Sequence, residues 1–394
     1  MLSACGLVSA APPRFSPLPD PKHPVRWPIS ASNKPIPDGR RPEANATLKV
    51  FSWVHRVSQR SLHDFSRAFK CRVELTTYAT MTEALARASH GRDRFDVFMG
   101  VPTDVVGVLV GRSVIQPLNH TYIPNISEAW PTFTDPFYDS HWQYTVPYTA
   151  YTTGIAWRKD HVDTDPYALL NGWDFPWHAA AVGKTGILDD YRESIALALL
   201  KDNGTNDDSS DTINATDPLL INNARDTLLN LNTLVRLHID NKTSAHLATA
   251  RSWIHYAWSG QAVAAVKRLP PGVPAEVIGY WFPPDGTGPV ANDTNTVLRG
   301  ARNPVLAHLF LNFMLNPSNA MHNMAATGFI QPLTYASLPR LVRDGILPAS
   351  LTSAGITHTY WAHGLKEVQF LPAVDRLWRQ AWHAVLRASS GAGP

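Results

Sequence analysis

Gly186-Ile187-Leu188-Asp189-Asp190-Tyr191-Arg192-Glu193 runs from an apolar strand into acidic residues at the point where a helix begins. Upstream, Val182 to Leu188 reads as a buried strand. Downstream, Ile195, Leu197, Leu199 and Leu200 recur at helical spacing and stop near Lys201-Asp202-Asn203-Gly204. Asp190 therefore falls at or beside the N-cap, with Glu193 three residues on. Two readings stay open. In one the pair is a capping box, Asp190 accepting from first-turn amides and Glu193 reaching back. In the other both carboxylates stand at the carboxyl end of a sheet strand, where open α/β sheets bind ligands, and face a cation.

Strand–helix alternation extends outward from this junction. Thr47 to Trp53 reads as a strand, followed by a helix through Leu62, Phe65 and Phe69, and then a strand at Cys71 to Thr77. A helix from Met81 to Ala88, a strand Phe95 to Met99 and a helix Val105 to Gly111 complete a β-α-β-α-β unit, the pattern of a mostly parallel sheet covered by helices. Thr145-Val146-Pro147-Tyr148 and Thr153-Gly154-Ile155-Ala156-Trp157 are extended segments suited to crossing between two lobes. Beyond them lie the 182–188 strand, helices at 191–201, 219–237 and 245–250, a strand at Thr294 to Leu298, and helices at 303–315, 317–326 and 368–387. The Asn/Asp/Ser/Thr-rich stretch from Asp202 to Asp217 reads as a surface loop.

At 394 residues the chain is long enough for two cores, and 44% hydrophobic residues exclude a disordered class. Lys and Arg total 35 against 32 Asp and Glu, without a basic run, so no nucleic-acid partner is expected. Of the two cysteines, Cys71 reads as a core thiol. Cys5, in Leu2-Ser3-Ala4-Cys5, has the form of a lipidation site, and the Pro/Ser/Ala-rich stretch after it reads as a tether, with ordered structure expected from about Ala46. No charged n-region or apolar h-region precedes Cys5. Gly183-Lys184-Thr185 lacks the glycine five residues earlier that a phosphate loop needs, since position 178 is His178. No HExxH, cysteine pair or G-x-S-x-G occurs, so no metal, cofactor or catalytic nucleophile is expected.

Aromatic and acidic residues recur at strand ends. Trp53 closes the first strand, Trp258 ends an apolar run before Ser259-Gly260-Gln261, and Asp293 stands just before a strand. Each has an ordinary structural explanation. Together they suit a linear ammonium ligand, held by carboxylates and lined by indole faces.

With these segments in view, the chain from Thr47 to Trp382 resembles the bacterial extracellular solute-binding proteins that serve ABC transporters for spermidine and putrescine. The likeness is carried by Phe51-Ser52-Trp53, Phe95-Asp96-Val97-Phe98, Tyr144-Thr145-Val146-Pro147-Tyr148, Gly186 to Glu193, Ala257-Trp258-Ser259-Gly260 and Asn292-Asp293. It implies a two-lobed, type II periplasmic-binding-protein fold, each lobe a mostly parallel sheet flanked by helices, joined by crossing hinge strands. The expected boundaries are 1–45 for the tether, 46–150 with 289–330 for the first lobe, and 151–288 with 331–394 for the second.

The resemblance further implies that Trp53 and Trp258 stack on a polyamine chain, that Asp190, Glu193 and Asp293 hold amino groups, and that Gln369 hydrogen-bonds the ligand. Several positions depart from the family pattern: Arg56 and Ala291 stand where aromatic residues are expected, and Val101 and Thr103 where Ser and Tyr are common. Tyr148 and Tyr151 either replace the missing aromatic surface or pack the hinge. The expected function is capture of a polyamine or related organic cation, without catalysis, for delivery to ABC permease subunits. The protein is expected to be an extracytoplasmic monomer that meets the membrane only through a lipid at Cys5. The alternatives are a binder of a zwitterionic or anionic small molecule that uses Arg56, and an enzyme on the same two-lobed fold.

Overall fold

The computed structural model describes residues 18–133, 135–178, 181–203 and 209–391. Cys5 lies outside the described residues. The first alternating unit consists of β1 (Thr47–Trp53), α1 (Gln59–Phe69), β2 (Arg72–Tyr78), α2 (Met81–His90), β3 (Val97–Pro102) and α3 (Thr103–Gly111). β1 pairs in parallel with both β2 and β3. Its Leu48, Val50 and Phe51 have no accessible surface, and α1, which Ser58 caps by accepting from Ser61 N, buries Leu62 and Phe65 in the same core.

The two extended segments expected between the lobes are one continuous strand, β4 (Thr145–Arg158), buried along its whole length. After it come α4 (Phe175–His178), β5 (Thr185–Ile187), α5 (Tyr191–Asn203), α6 (Pro218–Val235), β6 (His238–Ile239), α7 (Thr243–Ala248), β7 (Ile254–Trp258), α8 (Ser259–Val266), β8 (Ile278–Trp281) and β9 (Val290–Val297). The chain then becomes helical through α9 (Pro304–Leu315), α10 (Pro317–Thr327), α11 (Leu338–Arg343), α12 (His358–His363) and α13 (Pro372–Ser390).

The strands follow the order β2-β1-β3-β9-β4-β7-β5-β6, with β8 also on β4. From Thr145 to Thr152, β4 pairs antiparallel with β9; from Thr153 to Trp157 it pairs with β7. Two parallel wings, β2-β1-β3 and β7-β5-β6, thus flank an antiparallel centre that spans both lobes. The β4–β9 register shifts between Pro147 and Thr149, leaving Tyr148 as the extra residue of a bulge. The strand at the acidic junction is shorter than the sequence suggests, three residues instead of seven, because Val182 is exposed and Gly183 turns with a positive φ. β8, whose Gly279 accommodates the Trp157 ring, has no counterpart in the sequence reading.

Buried apolar side chains among the described residues fall into two clusters, one under each wing. Ordered structure begins well before Ala46. Trp27 Nε1 donates to Tyr138 O (2.9 Å) and Asn33 Nδ2 to Ile115 O (2.9 Å). The Glu43 carboxylate accepts from Val305 N (3.1 Å) and Leu306 N (3.0 Å) at the start of α9, a carboxylate satisfying orphan amides. Residues 18–45 are therefore packed on the first lobe. The stretch after 331, expected in the second lobe, divides: Leu333, Leu341, Leu347 and Trp361 join the first cluster, while Trp378, Trp382 and Val385 of α13 join the second. The division follows from Trp130, which bonds the backbone of both Pro332 and Leu333 and so draws the returning chain onto the first lobe. No helix among the described residues is long and apolar enough to cross a membrane.

Candidate functional site

A cavity of about 250 Å³ lies between the lobes at the carboxyl ends of β1, β3, β5 and β7. It is lined by Trp53, Arg56, Asp104, Tyr151, Asp189, Asp190, Arg192, Glu193, Trp258, Ala291, Asp293, Glu367 and Arg379, among others. Of the residues singled out in the sequence, it brings together Trp53, Arg56, Thr103, Tyr151, Asp190, Glu193, Trp258, Ala291 and Asp293. Tyr148 and Gln369 do not line it.

The acidic junction resolves into two different roles. Asp190 Oδ1 accepts from Arg192 N (2.9 Å) and Glu193 N (3.3 Å), which is half of a capping box. Glu193 does not complete the box. Its Oε1 accepts instead from the indole Nε1 of Trp258 (2.6 Å) and from Thr153 Oγ1 (3.1 Å). Burial pushes the Asp190 carboxyl up to about 6, against the pull of the two amides. Burial, and then the Asp190 charge beside it, raise Glu193 well above the usual carboxylate range. Glu367 and Asp104, also enclosed, are raised by burial as well.

Arg192 is the cation set among these acids. It is buried, lies 3.6 Å from Asp104 Oδ2 and stacks 3.7 Å from the centre of Phe370. It also donates to Val368 O (3.0 Å), fixing the segment that carries Glu367. Asp104, Glu367 and Arg192 had no assigned role in the sequence reading. Asp104 follows the strand end Val97–Pro102 by two residues, the signal that had marked Trp53, whereas Glu367 stands in irregular chain that no periodicity places.

The other end of the cavity is organised around Arg56. Its guanidinium Nη1 lies 3.3 Å from Asp293 Oδ2, and both side chains are almost wholly buried, at 4% and 2% exposed. Asp293 also accepts from Thr149 Oγ1 (3.1 Å) and Tyr151 OH (3.2 Å). The guanidinium carbon is 3.3 Å from the ring centre of Phe329, 5.1 Å from Trp258 and 5.5 Å from Tyr151. Phe329 comes this close because Gly260 has no side chain: a Cβ there would stand 2.4 Å from the ring. Tyr148 OH donates to the carbonyl of Arg56, and Asn323 Nδ2 bonds that hydroxyl (3.0 Å). Tyr148 therefore holds the arginine's backbone from behind the cavity wall. Asp293 lies inside β9 and not ahead of it, the strand starting four residues earlier than its Thr294-Asn295-Thr296 signal.

Trp53 donates its indole N–H to Gly100 O (2.8 Å) and meets Trp258 edge-on at 6.0 Å. Gln369 packs against Gly107 in α3, its Oε1 buried without a hydrogen-bond partner. Among the described residues, polar contacts cross the cleft from Arg192 to Asp104, from Arg379 Nη1 to Thr82 Oγ1 (3.3 Å) and from Asn241 Nδ2 to Ala79 O (3.1 Å). The lobes are thus drawn together over the cavity.

Away from the cleft, Asp240, His246 and His255 each bring a candidate metal-ligand atom within 4.8 Å of the others. His255 Nδ1 is taken by Tyr256 O (2.7 Å), and its Nε2 edge faces Gly186, whose Cβ position lies 2.5 Å from that nitrogen. Burial lowers the pKa of this ring to about 4.

A family model described as bacterial extracellular solute-binding protein matches residues 61–348. The chain belongs to this family. Among its relatives, a putrescine/cadaverine-binding protein of Pseudomonas aeruginosa is 24% identical over 303 residues, covering 72% of this chain and 82% of the relative. A spermidine/putrescine-binding periplasmic protein of Haemophilus influenzae is 24% identical over 324 residues, covering 81% and 84%. The solved structure of the PotD lipoprotein of Treponema pallidum superposes with a TM-score of 0.69 at 20% identity, covering 86% of this chain and 99% of that one. This solute-binding protein therefore has the two-lobed periplasmic-binding-protein fold, with its cavity between the lobes.

Proposed function

We propose that this solute-binding protein captures a small aliphatic amine, a polyamine or related organic cation, and delivers it to the permease of an ABC importer without chemical change. One observation carries the reading. Asp104, Asp189, Asp190, Glu193, Asp293 and Glu367 line the cavity against the guanidiniums of Arg56, Arg192 and Arg379, and Arg379 is already matched outside it by Asp375 (2.8 Å). Enclosed carboxylates without counter-charges are costly, so the arrangement favours any ligand that supplies the missing cation. An ammonium among Asp190, Glu193 and Glu367 does so, with Trp53 and Trp258 beside its methylene chain. The names of the relatives support the same cargo class. Closure around the ligand accounts for signalling to the permease, and Cys5, through a lipid, for retention at the membrane; the working unit is a monomer.

Calorimetric titration with putrescine, cadaverine and spermidine tests the proposal. The expected result is micromolar or tighter binding of at least one amine, weakened at least tenfold by Asp190→Asn and by Glu193→Gln. Absence of binding by all three, or equal affinity in both variants, overturns it.

A further inference from the structure

The two ends of the cavity are chemically unlike. At the Asp190–Glu193–Glu367 end, three carboxylates share one enclosed cation, Arg192, which also faces Asp104. At the other end the protein supplies its own cation. The Asp293 carboxylate, the acid at that end, is already engaged by Arg56, Thr149 and Tyr151. The aromatic faces that would receive a second ammonium are covered as well, since the guanidinium packs on Phe329 and lies within 5.5 Å of the Trp258 and Tyr151 ring centres.

Arg56 cannot easily leave. Its carbonyl is held by the Tyr148 hydroxyl, and its loop turns back through a hydrogen bond from Arg56 N to Trp53 O (3.3 Å). Yet the guanidinium's own N–H groups are unspent. Nη1 is buried without a hydrogen bond, out of line with Asp293 despite the 3.3 Å approach, and among the described residues no side-chain N–H of Arg56 donates to a protein acceptor. A guanidinium offers five donors in a planar fork, which suits a carboxylate or a carbonyl oxygen.

We propose that Arg56 takes the place of one amino group of a diamine, so that the ligand carries a single ammonium, held by Asp190, Glu193 and Glu367, and presents an oxygen acceptor to Arg56 at its other end. The ligand class is an ω-amino carboxylate or a mono-N-acylated diamine. This rests on the cation reading above and narrows it. A second ammonium is disfavoured, so that diamines bind more weakly, because it would meet the buried guanidinium instead of a free carboxylate.

The test uses three probes built on a four-carbon chain, namely putrescine, N-acetylputrescine and 4-aminobutyrate, titrated calorimetrically into the full chain and into Arg56→Met. In the wild type, at least one single-ammonium probe is expected to bind tenfold or more tightly than putrescine, and the tighter of the two tells amide from carboxylate. In Arg56→Met, Asp293 is released, putrescine gains at least tenfold and the single-ammonium probes lose their advantage. Wild-type preference for putrescine overturns the inference while leaving the cation reading intact, and it does so whether or not the variant folds. A single-ammonium preference that survives unchanged in folded Arg56→Met overturns the role of Arg56. Failure of all three probes to bind either protein overturns both readings.

Discussion

The indole N–H of Trp258 points at Glu193 Oε1 across 2.6 Å, joining the N-terminus of α8 to the first turn of α5 through a single short hydrogen bond. The contact positions a carboxylate without neutralising it. An indole donor lowers the charge's cost, but burial and the neighbouring Asp190 raise it further, so Glu193 holds its proton more tightly than an ordinary glutamate.

A pH dependence follows with a definite sign. Asp190 and Glu193 rise from ordinary values of 3.8 and 4.5 to about 6 and about 8 in the fold. Between those limits the folded state holds more protons than the unfolded chain, so their contribution to stability is complete below about pH 4 and is lost as pH rises through 6 to 8. Glu193→Gln, which keeps an acceptor for Trp258, is expected to melt higher than wild type, by a margin that grows from pH 5.5 to pH 8.5. An amine ligand needs the ionised acids, so its stabilisation of the wild type grows over the same interval. Thermal melts at constant ionic strength check both trends, and a margin that shrinks with rising pH would contradict the charge at Glu193.

Asp293 is expected to behave differently from Asp190. Asp293→Asn strands the Arg56 guanidinium in a nearly inaccessible site, and breaking such a pair costs about 3–5 kcal/mol. Arg56→Met combined with Asp293→Asn removes both charges and recovers more than half of that loss. Urea unfolding of the two single variants and the double variant measures the coupling; simple additivity would mean that the pair is not an energetic unit.

Gly260→Ala places a methyl group 2.4 Å from the Phe329 ring, which must then retreat from Arg56. The expected cost is about 1–3 kcal/mol, typical of overpacking. An unchanged urea midpoint would show that the ring was never held against the guanidinium.

The first alternating unit was legible in the sequence because its strands and helices carry clean periodicities, and β1 was bounded to the residue. Legibility declined where tertiary contacts decide. Trp53, Trp258, Asp190 and Glu193 could be placed near one another because each falls at a strand end, a position that the chain reveals locally. That Glu193 would abandon its cap for Trp258, 65 residues away, has no local signature. Glu367 and Phe329 follow irregular turns, and Tyr148, open in the sequence between cavity wall and hinge packing, is placed only by the bulge in β4, with its hydroxyl on the Arg56 carbonyl. Residues 18–45 read as a tether from their prolines, yet Trp27, Asn33 and Glu43 each find a partner on the first lobe.

The bulge at Tyr148 links the strand shared by both lobes to the charged end of the cavity. β4 is one unbroken strand across both lobes, passing from β9 to β7 between Thr152 and Thr153, and its irregular step between Pro147 and Thr149 lies on the first-lobe side of that change. The side chain at that step is the one gripping the Arg56 carbonyl. A change of twist at that step would reach the guanidinium through its own backbone, which ties the shape of β4 to the charge at this end of the cavity.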